Sequence, residues 1–291
     1  MEHVSVLLCA YNSELFISEA IDSVLAQTYK DFDLVLVDDG SKDRTLEIMR
    51  SYRDERIQII ETKHDYIRSL NIGLRHCHGE FIARLDADDI MEPTRLEEQV
   101  YVMHHHLDLA ACFSWGTAFG YQEGLLGSHV KGFIPEAYFW LLTGNFLIHP
   151  SAMLRRSFIQ KHHIRYKDYS YAEDYKLWAD IAHFGGLFYV IPKPLVRRRL
   201  CQTQVSRVYA HEQWQTRLCI QQDIVEELLQ RVVHSKRKNI ISLYHQLLVL
   251  NNEQLIQGDR VILLMYQILN QIRYDGMLAT NSQSKRSNVH F

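Results

Sequence analysis

The residues best suited to chemistry in this sequence are three carboxylates that follow an apolar run. Residues 81–85 read Phe-Ile-Ala-Arg-Leu, and Asp86, Asp88 and Asp89 come directly after them. An acidic cluster at the end of a strand is costly unless a cation lies beside it. Oxygen ligands suit Mg²⁺ or Mn²⁺, which complete their coordination with water and substrate phosphates. We therefore predict a divalent-metal site for a diphosphate-bearing substrate, with a solvated acidic turn as the alternative.

The elements that would position these carboxylates are strands that alternate with helices. Short apolar runs, typical of strands covered on both faces, occur four times in the first 85 residues. Between them the apolar spacing changes to a helical period, as in Ile17, Ile21 and Val24. This alternation predicts a parallel sheet with right-handed crossovers. The predicted strands are Val4–Cys9, Leu34–Val37, Ile57–Ile60 and Phe81–Leu85.

Polar or aromatic residues follow three of the four predicted strands. Ala10-Tyr11 follows the first strand, Asp38-Asp39 the second and Asp86-Ala87-Asp88 the fourth. In parallel sheets of this kind, ligands bind beyond the carboxyl ends of the strands. The convergence of three such features on one edge favours a ligand site over an isolated acidic turn.

Beyond the acidic cluster, the sequence predicts a helix at Asp174–Phe184 and a strand at Leu187–Ile191. Pro192 and Pro194 follow that strand, and proline cannot donate to a strand ladder. We therefore expect no central strand just beyond Ile191.

A domain boundary is predicted near Ser206, because the composition becomes helical from about Val208. The last residues are rich in Ser, Asn and basic side chains, which is typical of disorder. The predicted regions are a catalytic domain over 1–206, a helical C-terminal region over 207–275 and a disordered tail over 276–291.

The composition is that of an ordinary globular protein, with 291 residues, 47% hydrophobic content and a formal charge of −3. The charge gives no reason to expect nucleic acid as a partner. Five cysteines without CxxC spacing fit reduced thiols, and a strand-like start at Val4 leaves no room for a signal peptide, so we expect a cytoplasmic protein. The apolar stretch 132–154 is interrupted by Pro135, Glu136 and Pro150, which argues against a membrane-spanning helix.

Taken together and in order, seven fragments make the chain resemble family 2 glycosyltransferases of the GT-A fold. The resemblance covers residues 4–206, and it implies a Rossmann-like, mostly parallel sheet flanked by helices, with a C-terminal helical appendage. It also implies an enzyme that moves a sugar from a nucleotide-diphosphate sugar to an acceptor hydroxyl with inversion, in cell-surface polysaccharide synthesis. The fragments are Ala10-Tyr11-Asn12, 23–29 (SVLAQTY), 37–41 (VDDGS), 70–74 (LNIGL), 82–89 (IARLDADD), His149-Pro150-Ser151 and 172–178 (AEDYKLW).

The resemblance assigns the nucleotide to residues after the first two strands. Ala10 and Tyr11 match the nucleotide-binding motif, and the ring of Tyr11 matches the position that packs on the base. Asp39 matches the carboxylate that accepts from the N3–H of uracil or thymine, which favours a UDP donor with dTDP second. Arg68 matches a basic position near the base or phosphates, with a surface helix residue as the alternative. Asp38 is expected to have a structural or ribose-linked role.

The carboxylates receive distinct roles from the same resemblance. Asp88 is expected to bind Mn²⁺ or Mg²⁺ directly, and Asp86 to reach the ribose or a metal-bound water. Asp89 is expected to support the loop or cap the following helix. Asp174 matches the catalytic base, and Glu173 beside it is expected to contact the acceptor.

Three further residues complete the expected site. His149 is expected to line the sugar or acceptor pocket, with a structural histidine as the alternative. Arg199 is expected to face the diphosphate, and of Arg197-Arg198-Arg199 at most two can face the site because side chains alternate along a strand. Many relatives have a histidine where this chain has Cys201, which puts the metal preference in doubt because a thiolate suits Mg²⁺ poorly.

Two other functions and two partner questions stay open at this stage. A sugar-phosphate nucleotidyltransferase would also combine a parallel sheet with metal carboxylates, but residues 10–14 lack its glycine-rich basic loop. A catalytically inactive nucleotide-sugar-binding protein is supported only by Cys201. Basic residues such as Arg231 and Lys236 near apolar helical faces could bring the C-terminal helices to the inner face of a membrane and a lipid-linked glycan. The alternative is a helical bundle that packs on the catalytic domain or forms a homodimer.

Overall fold

A computed structural model describes residues 2–201, 208–232, 234–253 and 256–275. It divides the chain into two compact units, one formed by Met1–Pro135 and Phe146–Ala210, the other by Glu136–Asn145 and His211–Phe291. The predicted boundary at Ser206 and the predicted disordered tail over 276–291 lie outside the described residues.

The first unit is built on one mixed sheet of ten strands, in the order β3-β2-β1-β4-β9-β6-β10-β5, with β7 beside β6 and β8 beside β10. Strands β3, β2, β1 and β4 are mutually parallel, which confirms the predicted α/β architecture. The strands are β1 Val4–Ala10, β2 Phe32–Asp38, β3 Ile57–Glu61, β4 Phe81–Asp86, β5 Ile90–Met91, β6 Leu109–Gly120, β7 Gly124–Leu126, β8 Gly132–Ile134, β9 Met153–Arg155 and β10 Leu187–Leu200.

The core of this unit lies where helices cover the parallel strands. Every residue of β1 is buried, as its uninterrupted apolar run predicts. Ile17, Ala20, Ile21 and Val24 form the buried stripe of α1. The helices of the first unit are α1 Ile17–Leu25, α2 Thr45–Ser51, α3 Tyr66–His76, α4 Arg95–His105, α6 Arg156–Lys161 and α7 Glu173–His183, together with a 3-10 turn at His149–Ser151.

The strand β10 corrects one sequence-based expectation. It continues through Pro192 and Pro194 to Leu200, and its residues 196 and 197 pair with both β6 and β5. The expectation that the prolines exclude a central strand was wrong. The pairing with β6 shifts register on either side of Pro194, so the prolines lie at an irregularity where the ladder is already interrupted.

The second unit is helical and includes a segment that is distant in sequence. Residues 136–145 contribute α5 (Ala137–Trp140) and a 3-10 turn at Leu141–Thr143, and the remaining helices follow residue 209. The ring of Phe139 stacks on Tyr266 at 5.3 Å, and the Gln221 amide donates to the Leu142 carbonyl at 2.7 Å. These later helices are α8 Ala210–Arg231, α9 His234–Asn252 and α10 Gly258–Tyr274. Among the described helices, none combines the length and apolar character needed to cross a membrane.

Candidate active site

The carboxylate of Asp39, directly after β2, is buried and bonded at both oxygens. Its Oδ1 accepts from the Ser69 hydroxyl at 2.6 Å and from the Asp65 backbone N–H at 2.8 Å. Its Oδ2 lies 3.0 Å from Nδ1 of His64. The Asp39 side chain has 0% exposure in this arrangement, although it lies at the ligand-binding edge of the sheet.

The ring of Tyr11, directly after β1, lies beside the same group. It stacks on the His64 imidazole with a centroid distance of 3.8 Å and an interplanar angle of 19°. The Asp39 backbone N–H donates to the Ala10 carbonyl at 2.8 Å. The structure therefore brings Ala10, Tyr11 and Asp39 together, and adds His64, which no motif in the sequence indicated.

Asp38 and Arg68 lie at the margins of this group. Oδ2 of Asp38 accepts from the Ser41 backbone N–H at 3.2 Å, and its Oδ1 is buried with no hydrogen-bond partner among the described residues. Arg68 is exposed on α3 and lines a cavity of about 690 Å³ together with Arg75 and Arg165. Its assignment to the base or phosphates stays a prediction.

Asp86, the last residue of β4, is paired with a buried arginine of its own strand. Nη2 of Arg84 donates to Oδ1 of Asp86 at 2.7 Å and lies 3.3 Å from the Tyr66 hydroxyl. Burial is the largest single effect and would raise the pKa of Asp86, but the charge of Arg84, with smaller contributions from Arg198 and Arg95, holds that pKa below its usual value. Asp86 therefore favours its ionised form. The negative charges of Asp88 and Asp89 are not balanced to the same extent.

Asp88 and Asp89 carry the uncompensated part of the acidic cluster. Burial, followed by the charge of Asp86, raises the pKa of Asp88 to about 6. Burial, followed by the charges of Asp86 and Asp88, raises the pKa of Asp89 well above its usual value. Oδ1 of Asp89 accepts from the Arg199 backbone N–H at 2.8 Å, and its Oδ2 is buried without a partner among the described residues.

The donor set at this edge fits a divalent cation that brings its own remaining ligands. Within the described ranges, no three His, Cys, Asp or Glu side chains converge as a complete metal site. Asp86 and Asp88 offer only oxygen. Burial and then the negative charge of Asp86 raise the pKa of Asp88, and a cation would neutralise that charge. Mg²⁺ is usually bound by one or two carboxylates, and water and phosphate oxygens complete its coordination. The residues present therefore fit Mg²⁺ or Mn²⁺.

Glu173 and Asp174 form the first turn of α7 and face the same region. Burial, then the charge of Asp174, raises the pKa of Glu173 to about 8, and the charge of Asp86 adds to this effect. Oδ1 of Asp174 accepts from the Tyr175 backbone N–H at 2.6 Å. The pKa of buried Tyr166 is raised by burial and by all three of these carboxylates. The start of α7 and the end of β4 therefore border one electrostatically coupled region.

His149 is a neutral imidazole within this region. Its Nε2 lies 2.8 Å from the Tyr166 hydroxyl, and its ring meets Trp178 edge to face at 6.0 Å. Burial, followed by the charge of Arg84, lowers the pKa of His149 to about 3. Tyr166 is held in turn by Asn71, which exchanges two 2.9 Å hydrogen bonds with its backbone. Tyr166 was not identified from the sequence.

The three arginines of β10 alternate as the sequence predicts. The guanidinium groups of Arg197 and Arg199 both lie over the Phe119 ring, at 4.8 Å and 4.5 Å. Arg199 also donates to Glu19 at 2.8 Å and to the Asp88 carbonyl at 3.0 Å. Arg198 is half-buried, and its charge lowers the pKa of Asp86, Asp88 and His149.

Sequence reasoning selected Arg199 and overlooked Arg198. The alternation rule separates Arg198 from the other two but does not say which face meets the site. Cys201, just beyond β10, is a half-exposed cysteine outside any disulfide bond. The expected roles of Arg199 at the diphosphate and of Cys201 near the metal stay predictions.

Comparisons with known proteins identify relatives of this chain among glycosyltransferases. The family model described as "Glycosyl transferase family 2" matches residues 5–162. An uncharacterised glycosyltransferase of Haemophilus influenzae is 36% identical over 264 residues, covering 83% of this chain and 80% of the relative. An uncharacterised glycosyltransferase of Methanocaldococcus jannaschii is 34% identical over 210 residues, covering 68% of this chain and 70% of the relative.

Two solved structures share the fold at low sequence identity. The structure of S. aureus TarS 1-349 in complex with UDP-GlcNAc has a TM-score of 0.63 and 16% identity, covering 94% of this chain and 92% of that one. The mannosyltransferase PcManGT from Pyrobaculum calidifontis, in complex with GDP-Man and Mn²⁺, has a TM-score of 0.53 and 16% identity, covering 94% and 86%.

Proposed function

The chain belongs to glycosyl transferase family 2, and on that premise we propose that it transfers a sugar from a UDP-sugar to an acceptor hydroxyl with inversion. The observation that carries this proposal is that the charges of Asp86, Glu173 and Asp174 all act on the buried Tyr166, because a donor-binding carboxylate and a base must flank one reacting carbon. Glycosyl transfer itself follows from the family. The donor, the mechanism and the acceptor are the proposed part.

The UDP preference rests on Tyr11 and Asp39. A flat aromatic face beside a carboxylate suits a base that offers an N–H donor on its edge, which uracil has and cytosine lacks. The TarS structure was solved with UDP-GlcNAc, and PcManGT with GDP-Man, so the shared fold accommodates more than one base. Tyr11 and Asp39 favour UDP, with dTDP second.

Asp88 and Asp86 would hold a Mn²⁺ or Mg²⁺ ion between the protein and the donor diphosphate. When bound, such an ion acts as a Lewis acid that offsets the charge of the departing diphosphate. Arg84 keeps Asp86 ionised, and Arg198 adds a positive charge close to the cluster. The PcManGT complex contains Mn²⁺, which supports this choice of cation.

Asp174 would accept the proton of the acceptor hydroxyl during a single displacement. A general base of this kind must come within about 2.6–3.2 Å of that hydroxyl. The N-terminus of α7 favours its negative charge through the helix dipole. Glu173, whose pKa is about 8, is protonated at neutral pH and would act as a hydrogen-bond donor to the acceptor.

The direct test is UDP release from UDP-sugars with and without Mn²⁺. We expect metal-dependent release by the wild type, which Asp88→Asn and Asp174→Asn reduce by at least about 100-fold. Asp174→Asn should still bind UDP. Asp108→Asn is a control, because Asp108 is an exposed carboxylate that does not line the cavity beside Arg68. Undiminished release by Asp174→Asn would remove its assignment as the base.

For the acceptor we propose a glycan or a lipid-linked glycan used in surface polysaccharide synthesis, reached by peripheral contact with the inner face of the membrane. Co-sedimentation of the whole chain with anionic and with neutral vesicles tests that contact. Binding to neither vesicle would favour a helical unit that packs or forms a homodimer, whose mass light scattering would report.

A further inference from the structure

The proposed seat of the nucleotide base is filled by a side chain of the protein itself. The His64 imidazole lies 3.8 Å from the Tyr11 ring and nearly parallel to it, and its Nδ1 lies 3.0 Å from Oδ2 of Asp39. An imidazole with a proton on Nδ1 thus offers the two contacts that a uracil would offer. These are a flat face for Tyr11 and an N–H for Asp39.

A base cannot occupy this seat while His64 remains there. The ring separation of 3.8 Å is a direct stacking contact, so no second ring fits between Tyr11 and His64. The Asp39 carboxylate has 0% exposure, and its other oxygen already accepts from Ser69 and Asp65. A base must therefore take Oδ2 of Asp39 from His64.

The backbone around His64 is fixed, whereas its side chain is open to solvent. The Asp65 backbone N–H is bonded to Asp39, and a Cβ built on Gly40 would lie only 2.9 Å from the His64 nitrogen. The His64 side chain itself is 56% exposed. Opening the seat therefore requires a rotation of one side chain into water and no movement of the loop.

We infer that His64 is an internal competitor for the nucleotide base and sets the affinity of this protein for its donor. This inference rests on the proposed function, since it takes Tyr11 and Asp39 as the base-binding residues. The closed arrangement shields a buried carboxylate in the free protein. When the donor binds, its base replaces the His64 ring on Tyr11, and the N–H of the base replaces that of His64 at Asp39. The apparent affinity equals the intrinsic affinity multiplied by the fraction of molecules in which His64 has left this position.

The test compares UDP binding by the wild type and by His64→Ala, using calorimetry on the whole chain. Because the variant removes a competing hydrogen bond and stack, we expect UDP to bind about threefold to tenfold more tightly. His78→Ala is the matched control, since His78 is an exposed histidine elsewhere in the first unit, and its UDP affinity should equal that of the wild type.

The outcomes separate this inference from the donor proposal. Equal or weaker UDP binding by His64→Ala would overturn the role of His64 and leave the donor proposal in place. Absence of UDP binding by both proteins would overturn the donor proposal and this inference with it. A second readout is the proton NMR shift of the His64 ring, which the Tyr11 ring current should displace in the free protein. Saturating UDP should abolish that displacement, and a shift that UDP leaves unchanged would also overturn the inference.

Discussion

Nη2 of Arg84 lies 2.7 Å from Oδ1 of Asp86, and the arginine side chain is only 3% exposed. The two residues lie two positions apart on β4, so both side chains project from the same face of the strand. A permanent positive charge is thereby buried beside Asp86 in the proposed donor site. It favours the ionised form of one carboxylate of the acidic cluster, whereas the pKa values of Asp88 and Asp89 are raised.

Removal of this buried charge should lower the stability of the protein and change how that stability depends on pH. We expect Arg84→Gln to lower the free energy of unfolding by about 3 kcal/mol, because it leaves Asp86 without its partner. The pKa of Asp86 is depressed in the folded protein, so the pair stabilises the fold above the usual carboxyl pKa and is lost as pH falls through the lower folded value. Urea unfolding at pH 7 and pH 3 measures both effects. A double-mutant cycle with Asp86→Asn isolates the pair, and a coupling energy near zero would contradict it.

Glu173 should make the folded protein less stable as the pH rises. Its pKa is raised from 4.5 to about 8, so the folded state binds more protons than the unfolded state between these values. The stability linked to this proton is present below pH 4.5 and lost as the pH rises through about 8. We expect Glu173→Gln to be more stable than the wild type by on the order of 2 kcal/mol at pH 9. Thermal unfolding across this range is the measurement, and parallel profiles for the two proteins would argue against a buried proton here.

Arg198 and Arg197 provide a matched pair on opposite faces of β10. Arg198 acts on Asp86 and Asp88, whereas Arg197 is exposed and lies over Phe119. A lost charge-assisted contact to phosphate is worth roughly a factor of ten. We therefore expect Arg198→Ala to raise the KM for the UDP-sugar about tenfold, and Arg197→Ala to leave it within about twofold. A KM that Arg198→Ala leaves within about twofold of the wild type would mean that Arg198 does not contact the donor.

Gly40 should be essential to the geometry around Asp39. Its φ of +75° disfavours any L side chain, and a Cβ there would lie 2.9 Å from the His64 backbone nitrogen. We expect Gly40→Ala to lower stability by about 1–2 kcal/mol and to weaken UDP binding. Gly124→Ala is the control, because a Cβ on Gly124 would meet no atom within 4 Å. Calorimetry and urea unfolding of both variants check this, and unchanged UDP affinity in Gly40→Ala would show that residues 62–65 adjust without cost.

The parallel half of the sheet can be predicted from the sequence because each of its strands is marked by a pattern within a short segment of the chain. β1, β2, β3 and β4 are short apolar runs separated by helical periods, and a carboxylate or aromatic residue follows β1, β2 and β4. Tyr11 and Asp39 come together because parallel neighbouring strands end at one edge, which topology alone requires.

The residues that sequence reasoning missed depend on contacts between distant segments. His64 follows an ordinary strand, and its importance appears only when its ring lies on Tyr11. Arg84 belongs to an apolar motif, and its partner Asp86 was assigned to the metal or ribose. The continuation of β10 past Pro194 depends on a register shift against β6, which no local propensity encodes.

The inclusion of residues 136–145 in the helical unit has a consequence for how the protein is made. During synthesis this segment leaves the ribosome before α8, α9 and α10, whose residues it needs as neighbours. The first unit is also incomplete at that moment, since β9 and β10 follow the segment in the chain. Phe139 and Leu142 therefore remain without their final neighbours until almost the whole polypeptide has emerged. The first unit is complete in sequence at Ala210, so it can fold before the helical unit, whose Phe139 must wait for Tyr266. No single cut of the chain can separate the two units.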